Sequence, residues 1–234
     1  MDTLDLQRTY LDLTTPHVAD AMMRLSIPVR QAPASVRPLW QETHVVGPAR
    51  PARHSGSVDV FLEAIEQAHP GDVLVVDNGG RNDEACVGDL ITLETQRAEL
   101  AGIVIWGLHR DSRELRSIHF PLFSQGTLPA GPQRLDPQHP DAIISALVGA
   151  HTVTGDDVVL GDDDGVLFFP RDRAADIAKL ATQIRDTERS QAAKMNLGTS
   201  LREQTQFTAY LAARDRDGTS FREHLRSIGG AIEE

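Results

Sequence analysis

Four polar side chains near the centre of the sequence have the types and spacing that suit a divalent cation and an organic acid. Twenty residues separate Asp89 from the pair Arg110-Asp111, which is followed by Glu114. Carboxylate oxygens are the ligands that hard cations prefer, and a guanidinium forms paired hydrogen bonds with a carboxylate. The sequence therefore predicts that Asp111 binds a hard divalent ion, with Asp89 and Glu114 nearby.

Two predicted buried strands place these residues at one edge of a sheet. The strand Asp72–Asp77 contains the run Val-Leu-Val-Val and ends before Gly79-Gly80, and the strand Ile103–Trp106 ends at Gly107. A helix is predicted between them, over Gly88–Ala101. This alternation indicates an α/β fold, and open α/β sheets bind ligands at the carboxyl ends of their strands.

The start of that helix, at residues 88–91, is a second candidate binding feature. Its free backbone N–H groups and partial positive charge suit a carboxylate or a phosphate. Because Arg110 follows the neighbouring strand, its guanidinium is expected to reach the same anion. The candidates for substrate binding are therefore the backbone from Gly88 to Ile91 and the side chain of Arg110.

The remaining segments predict further elements around this centre. They are a helix at Thr14–Leu25, a strand at His44–Ala49 closed by Gly47-Pro48, a helix at Ser57–Ala68, an apolar stretch of open type at Ala142–Val148, a hairpin of Asp157–Leu160 with Val166–Phe169, and a long helix from about 171 to 195. The run Asp162–Asp164 is predicted to be a solvated hairpin tip. It is not a calcium-binding EF-hand loop, because Arg173 stands where the twelfth position needs a glutamate.

Composition excludes several functional classes. The chain has 234 residues and a formal net charge of −11, so it lacks the basic face of a nucleic-acid or anionic-membrane binder. Its one cysteine, Cys86, cannot form an internal disulfide. The start of the sequence lacks the features of a signal peptide, and no apolar stretch approaches the roughly 20 residues of a membrane span. These observations predict a cytoplasmic protein with no nucleic-acid or membrane partner.

The central motifs resemble those of the RraA-like family, which includes class II 4-hydroxy-4-methyl-2-oxoglutarate/4-carboxy-4-hydroxy-2-oxoadipate aldolases. The resemblance rests on Gly71–Asp77, Gly88-Asp89-Leu90, Ala101–Gly107 and Arg110-Asp111-x-x-Glu114. Shorter matches occur at Val18–Ala21, Phe120–Phe123 with Gly126-Thr127, Gly155–Val158 and Asp162–Pro170, so the resemblance covers about residues 14–195.

The resemblance implies a fold and a mode of assembly. The expected fold is an α/β layered sandwich of the swivelling-domain type with a C-terminal helical extension. Residues 1–196 would form one domain, and residues 197–234 a helical tail that packs on this domain or on a neighbouring subunit. Family members assemble as trimers or hexamers, so a homotrimer or homohexamer is expected.

The resemblance also implies a reaction and roles for the site residues. The activity would be cleavage of a 4-hydroxy-2-oxo acid to pyruvate, decarboxylation of an oxaloacetate-like 2-oxo acid, or both, with Mg²⁺ or Mn²⁺. Asp111 would bind the metal directly and Asp89 through water, Arg110 would contact the 2-oxo acid, and backbone N–H groups near Leu90 and Ile91 would hold its carboxylate. Glu188 is the candidate for a glutamate that reaches the metal shell of a neighbouring subunit.

Two positions depart from the aldolase pattern. Asp83 stands where many aldolases have a basic residue, and His109 stands where a small apolar residue is usual. Asp83 and Glu84 are interpreted as residues that disfavour a second substrate carboxylate, as metal ligands, or as a solvated helix start. His109 is interpreted as a packing residue. These departures concern the substrate more than the metal.

The resemblance brings two other functions into consideration. RraA-like proteins include a regulator that inhibits a ribonuclease by protein–protein contact and lacks the complete acidic set, which this chain retains. A methyltransferase is disfavoured, because no glycine-rich loop for S-adenosylmethionine occurs in the sequence.

Overall fold

The computed structural model describes residues 1–229. Its helices are α1 Thr3–Tyr10, α2 Thr15–Arg24, α3 Asp59–Glu66, α4 Asp89–Arg97, α5 Ser112–Ile118, α6 Ala174–Asn196, α7 Leu201–Gln204, α8 Phe207–Asp217 and α9 Phe221–Ser227. Its strands are β1 Arg30–Gln31, β2 Arg37–Pro38, β3 Val45–Arg53, β4 Val73–Asp77, β5 Ala85–Val87, β6 Gly102–Trp106, β7 Leu108–His109, β8 Leu122–Ser124, β9 Ser145–Val148, β10 His151–Thr154, β11 Asp157–Asp162 and β12 Gly165–Pro170.

One sheet in the described residues contains eight strands in the order β1-β12-β11-β3-β4-β6-β8-β2. Strands β3, β4, β6 and β8 are parallel, and the other pairings in this sheet are antiparallel. The register aligns Arg53 with Asp77 and Asp77 with Trp106. The carboxyl ends of β3, β4 and β6 therefore lie side by side, and the loops that follow them share one edge.

Apolar layers cover both faces of the parallel strands, which explains their nearly uninterrupted apolar sequences. Along β4, Leu74 and Val76 face the layer of α3, α4 and α5, whereas Val73 and Val75 face the opposite cluster, which includes residues of the β9–β10 hairpin. This alternation follows the two-residue period of a strand. A third cluster joins α1, α2 and α6 to β11 and β12. The predicted α/β layered sandwich is confirmed.

Strand β3 is longer than the predicted strand at His44–Ala49, because Gly47-Pro48 does not close it. Residues up to Pro48 pair antiparallel with β11, and residues from Ala49 pair parallel with β4. Proline, which has no N–H to donate, thus stands where the strand changes partners. A Cβ atom at Gly47 would lie 2.0 Å from the carbonyl oxygen of Gly71, so the close approach requires glycine.

The other segments largely follow their patterns, with shorter helices than expected. The apolar stretch Ala142–Val148, for which the sequence favours neither helix nor strand, contributes β9. The long predicted helix is α6, which begins after a 3₁₀ turn at Arg171–Arg173. The C-terminal helical extension is confirmed in α7 to α9, although residues 230–234 of the predicted tail lie outside the described residues. Between residues 1 and 229, no helix combines the length and hydrophobicity needed to cross a membrane.

The interpretation of Asp162 as solvated surface is wrong. Its side chain is buried and accepts hydrogen bonds from the backbone N–H of Thr15 at 2.6 Å and from Thr15 Oγ1 at 2.7 Å. It also accepts the backbone N–H of Asp164, at 2.9 Å. These hydrogen bonds compensate for the cost of burying the charged carboxylate. They also fix the start of α2 to the β11–β12 hairpin.

We expect Asp162→Ala to lower the free energy of unfolding by about 2 kcal/mol, because it leaves the buried donors of Thr15 without an acceptor. Urea unfolding followed by circular dichroism measures this change. Asp164→Ala is the matched control: its side chain is exposed at the same hairpin, and its effect should stay within about 0.5 kcal/mol. Equal effects of the two variants would contradict the assigned role of Asp162.

Candidate active site

The small parallel pair of β5 and β7 brings the start of α4 next to Arg110-Asp111. The backbone N–H of Arg110 donates to the carbonyl oxygen of Val87 at 2.9 Å. Gly88, the next residue, is the N-cap of α4. A Cβ atom at this glycine would lie 2.3 Å from Asp111 Oδ2. Only glycine therefore allows the carboxylate of Asp111 to lie against the first turn of α4.

Asp111 has a left-handed backbone conformation that directs its carboxylate. Its φ is 61°, a value that non-glycine residues adopt at a cost of order 1–3 kcal/mol and that aspartate tolerates better than most. The residue is the N-cap of α5, and its carbonyl oxygen accepts the N–H of Leu115 at 2.9 Å. Its Oδ2 atom lies 3.4 Å from the backbone nitrogen of Asp89 and 3.5 Å from Arg110 Nε.

The N-terminus of α4 presents backbone donors to the same place. The N-cap residue Gly88 has no side chain that could cap the helix. Asp89 Oδ1 accepts the N–H of Leu90 at 2.8 Å. The first N–H groups of a helix lack intrahelical partners and carry partial positive charge. This edge therefore combines two carboxylates, a guanidinium and helix-terminal N–H groups, an arrangement that can bind a cation and an organic anion together.

These groups share a cleft of about 160 Å³. Its wall residues are His54, Val58, Ala85, Cys86, Gly88, Asp89, Leu90, Ile91, Arg110, Asp111 and Pro132. The volume is well below the roughly 300–1,000 Å³ of pockets for drug-sized ligands, so the cleft suits a small molecule. All the predicted substrate-binding residues, together with Asp89 and Asp111, line it.

Two predicted site residues, Glu114 and Glu188, are not among the residues that line the cleft. Glu114 is exposed in the first turn of α5 and is not part of the cleft wall. Glu188 lies on α6, where its carboxylate is 3.3 Å from His17 Nε2. Helix α6 packs on α2 and belongs to a different core cluster from the cleft. The role of Glu188 in a neighbouring subunit's site stays a prediction.

Glu84 is buried, which excludes the interpretation of this residue as part of a solvated helix start. Its carboxylate accepts hydrogen bonds from Arg134 Nη2 at 2.8 Å and Nε at 3.2 Å. Arg134 also pairs with Asp136, and its hydrogen bonds to Glu84 raise the pKa of its guanidinium. Asp83, in contrast, is exposed and pairs with Arg81 at 2.6 Å. These pairs form a charged wall beside the cleft.

His54 and Asn78 are residues that the sequence interpretation missed. His54 follows β3 and Asn78 follows β4, and the Nδ1 atom of His54 lies 2.8 Å from Asn78 Oδ1. The imidazole stacks on Phe61 with 5.2 Å between ring centroids. The signal that could have found them is positional: polar residues directly after adjacent parallel strands lie at the ligand-binding edge.

His109 is buried, with its Nδ1 atom 2.7 Å from Ser124 Oγ and its Nε2 atom 3.1 Å from Ser112 Oγ. Ser112 Oγ in turn donates to Thr127 Oγ1 at 3.0 Å. Burial lowers the pKa of His109. Both ring nitrogens are at hydrogen-bond distance from serine hydroxyl groups. His109 therefore packs in the interior and stabilises the turn that contains Arg110 and Asp111.

The fold and the cleft define an α/β protein with a candidate ligand site at the carboxyl ends of its parallel strands. The chain belongs to the RraA-like family, whose sequence profile, described as Aldolase/RraA, matches residues 15–168.

Relatives with assigned names and solved structures agree with this membership. A protein of Halalkalibacterium halodurans, whose name proposes that it is a 4-hydroxy-4-methyl-2-oxoglutarate aldolase, is 29% identical over 197 residues, or 83% of this chain and 91% of that protein. The structure of Streptomyces coelicolor RraAS2, described as an unusual member of the RNase ES inhibitor RraA family, matches with a TM-score of 0.70 at 26% identity, over 81% of this chain and 98% of that one.

A Pseudomonas syringae protein of unassigned function has the same fold. Its structure matches with a TM-score of 0.74 at 24% identity and covers 86% of this chain and 96% of that one. The matches thus include both a protein named as a proposed aldolase and a protein described as a member of an RNase inhibitor family.

Proposed function

We propose that this protein is a divalent-metal-dependent carbon–carbon lyase that cleaves a 4-hydroxy-2-oxo acid to release pyruvate. Decarboxylation of oxaloacetate-like acids at the same site is part of the proposal, because both reactions leave a pyruvate enolate. The observation that carries it is the placement of the Asp111 carboxylate against the N-terminus of α4, beside Arg110.

The donor set of the cleft suits Mg²⁺ or Mn²⁺. Asp111 would hold the ion directly and Asp89 through water. Within residues 1–229, no group of three or more His, Cys, Asp or Glu side chains is arranged to hold a metal. Magnesium commonly uses one or two protein carboxylates and completes its shell with water and substrate oxygens, so two carboxylates at an open cleft fit this mode. When bound, the ion would supply Lewis-acid stabilisation of the enolate.

The chain's own residues would bind and orient the substrate. The N–H groups at the start of α4, near Leu90 and Ile91, would hold the carboxylate of the 2-oxo acid, because this helix end favours an anion. Arg110, with its side chain about half exposed, would place a fixed positive charge where the oxyanion develops. The side chains of His54 and Pro132 also line this cleft.

We propose further that the protein works in the cytoplasm as a homotrimer or homohexamer. In such an assembly Glu188 of a neighbouring subunit would join the site, because in its own chain it lies away from the cleft wall. Packing of the C-terminal helices against a neighbour would also fit this assembly.

A ribonuclease regulator is the second candidate function, because the Streptomyces coelicolor neighbour is described as a member of an RNase inhibitor family. The enzyme is favoured, because the Asp89 and Arg110-Asp111 groups are retained and meet at one cleft. A regulator acting by surface contact has no need of this arrangement.

A panel of 4-hydroxy-2-oxo acids and oxaloacetate, with coupled detection of pyruvate, tests the proposed function. We expect release of pyruvate with Mg²⁺ or Mn²⁺, loss of activity after treatment with a chelator, and recovery when the metal is restored, since the protein supplies few ligands and the ion should exchange. Protein-free reactions with each metal give the background. No pyruvate above this background from any substrate would contradict the proposal.

A further inference from the structure

The cleft wall contains a buried nitrogen without a hydrogen-bond partner. The side chain of His54 is only 1% exposed, and within residues 1–229 no group bonds to its Nε2 atom. Buried polar atoms in native proteins nearly always have partners, and an exception calls for an explanation. The Nδ1 edge of the ring faces Asn78, and one face stacks on Phe61. The ring also lines the cleft that contains Arg110 and Asp111.

Neighbouring hydrogen bonds determine which nitrogen of His54 carries the proton. Arg134 Nη2 donates to Asn78 Oδ1 at 3.2 Å, and a guanidinium has only donors. The Asn78 atom that it contacts must therefore be the amide oxygen. Since that same oxygen is 2.8 Å from His54 Nδ1, the histidine must donate from Nδ1. In the neutral ring Nε2 is then the unprotonated nitrogen with a free lone pair.

The surroundings keep this ring neutral near pH 7. Burial is the largest effect on its pKa and lowers it, and the charge of Arg134 acts in the same direction. The hydrogen bond to Asn78 and the carboxylates of Glu84 and Asp59 oppose this shift without reversing it. The free nitrogen is therefore in the form that accepts a proton.

We propose that His54 Nε2 accepts the proton of the substrate's 4-hydroxyl group during aldol cleavage. This proposal rests on the proposed function. The O–H electron pair forms the new C=O bond, the C3–C4 bond breaks, and its electrons form the enolate of pyruvate. The proton on Nε2 then returns to C3 of the enolate, so the site ends in its starting state. Asn78 and Arg134 are positioning residues, because they fix the tautomer without touching the substrate.

The two reactions of the proposed function differ in their need for this group. Decarboxylation of oxaloacetate forms the same enolate by loss of CO₂, and no hydroxyl proton is removed. A proton acceptor dedicated to the hydroxyl should therefore matter for aldol cleavage far more than for decarboxylation. General bases typically contribute about a hundredfold or more to rate, so the difference should be large.

The test is His54→Asn in the full-length protein, assayed with both substrates. Asparagine can place an amide N–H near the position of Nδ1, so it preserves the donor to Asn78 while removing Nε2. We expect kcat for aldol cleavage to fall at least about a hundredfold, with a much smaller change in oxaloacetate decarboxylation and in KM. The control is His69→Asn, which changes a side chain that is 80% exposed at the amino end of β4 and should leave both activities intact.

Several outcomes would overturn the assignment of His54. Equal loss of both activities at an unchanged melting temperature would mean that the residue serves a shared step or only the shape of the cleft. Retention of aldol cleavage in His54→Asn would exclude the proton transfer. If the variant unfolds, His54→Gln, which retains a polar group near Nε2 but no base, gives the same comparison. Failure of the wild type in both reactions would instead refute the proposed lyase function.

Discussion

Replacing Asp111 by asparagine is expected to lower kcat/KM for pyruvate release about a thousandfold. Asparagine has nearly the same shape, so the change removes the negative charge and little else. Asp111, the only proposed direct protein ligand of the divalent ion, then loses its charge. Because the ion is bound more weakly, stabilisation of the enolate weakens. A thousandfold loss corresponds to about 4 kcal/mol of transition-state free energy, within the several kcal/mol that metal polarisation of an oxyanion supplies.

The measurements are steady-state kinetics with both substrates and calorimetric titration of the substrate-free protein with Mn²⁺. Both reactions should decline together in Asp111→Asn, since both form the enolate, and Mn²⁺ affinity should fall in parallel. Asp83→Asn provides the control, because it removes the same charge from an exposed aspartate of the charged wall, outside the cleft lining. Unchanged Mn²⁺ binding and activity in Asp111→Asn would refute its role as a ligand.

Arg110→Met is expected to reduce kcat/KM by about a thousandfold as well, through a different interaction. The guanidinium packs against Gly131, where a Cβ atom would lie 2.8 Å from Nη1, and its Nε lies 3.5 Å from Asp111 Oδ2. Methionine keeps the length of the side chain but removes its charge and its donors. Loss of one preorganised donor to an oxyanion costs about a hundredfold to a thousandfold, and weaker substrate binding adds to this.

Arg110→Lys separates charge from geometry. Lysine retains the positive charge but cannot form the paired hydrogen bonds of a guanidinium, so its activity should lie between those of the wild type and Arg110→Met. Mn²⁺ affinity of the substrate-free protein should persist in both variants. The control is Arg113→Met, which changes an exposed arginine in the first turn of α5. If Arg110→Met keeps wild-type kinetics, the proposed contact with the 2-oxo acid is wrong.

Much of the candidate site followed from the sequence because its geometry depends on local patterns. The runs Val73–Val76 and Ile103–Ile105 are apolar without interruption, which is typical of parallel strands covered on both faces. Their carboxyl ends locate the loops that contain Gly88 and Arg110. Once two neighbouring strands and the intervening helix are identified, the position of the ligand edge follows from topology alone.

The sequence did not reveal groups that depend on long-range pairs. Arg134 lies in a stretch without helix or strand and bonds to Glu84, fifty residues earlier. Asp162 is buried because Thr15, which is 147 residues away, supplies its donors. A charged residue in a turn is ordinarily solvated, so only the folded arrangement distinguishes these side chains from surface acids and bases.

The predicted strand at His44–Ala49 is shorter than β3, because the pairing partners of β3 are distant in the sequence. Gly47-Pro48 is a common strand-ending pair, yet here each half of the strand pairs with a different neighbour. The proline therefore lies outside the stretch that pairs with β4.

The alignment of β3 with β4 determines the positions of two pairs of polar side chains at the cleft end of these strands. Arg53 Nε bonds to Asp77 Oδ2 at 3.0 Å, and one residue further along both strands His54 meets Asn78. A slip of one residue would separate both pairs and turn every side chain of the strand to the other face. The side chains of His54 and Asn78 are thus held in place by the same register that holds the sheet together. During denaturation, activity and the native fold should disappear in one transition.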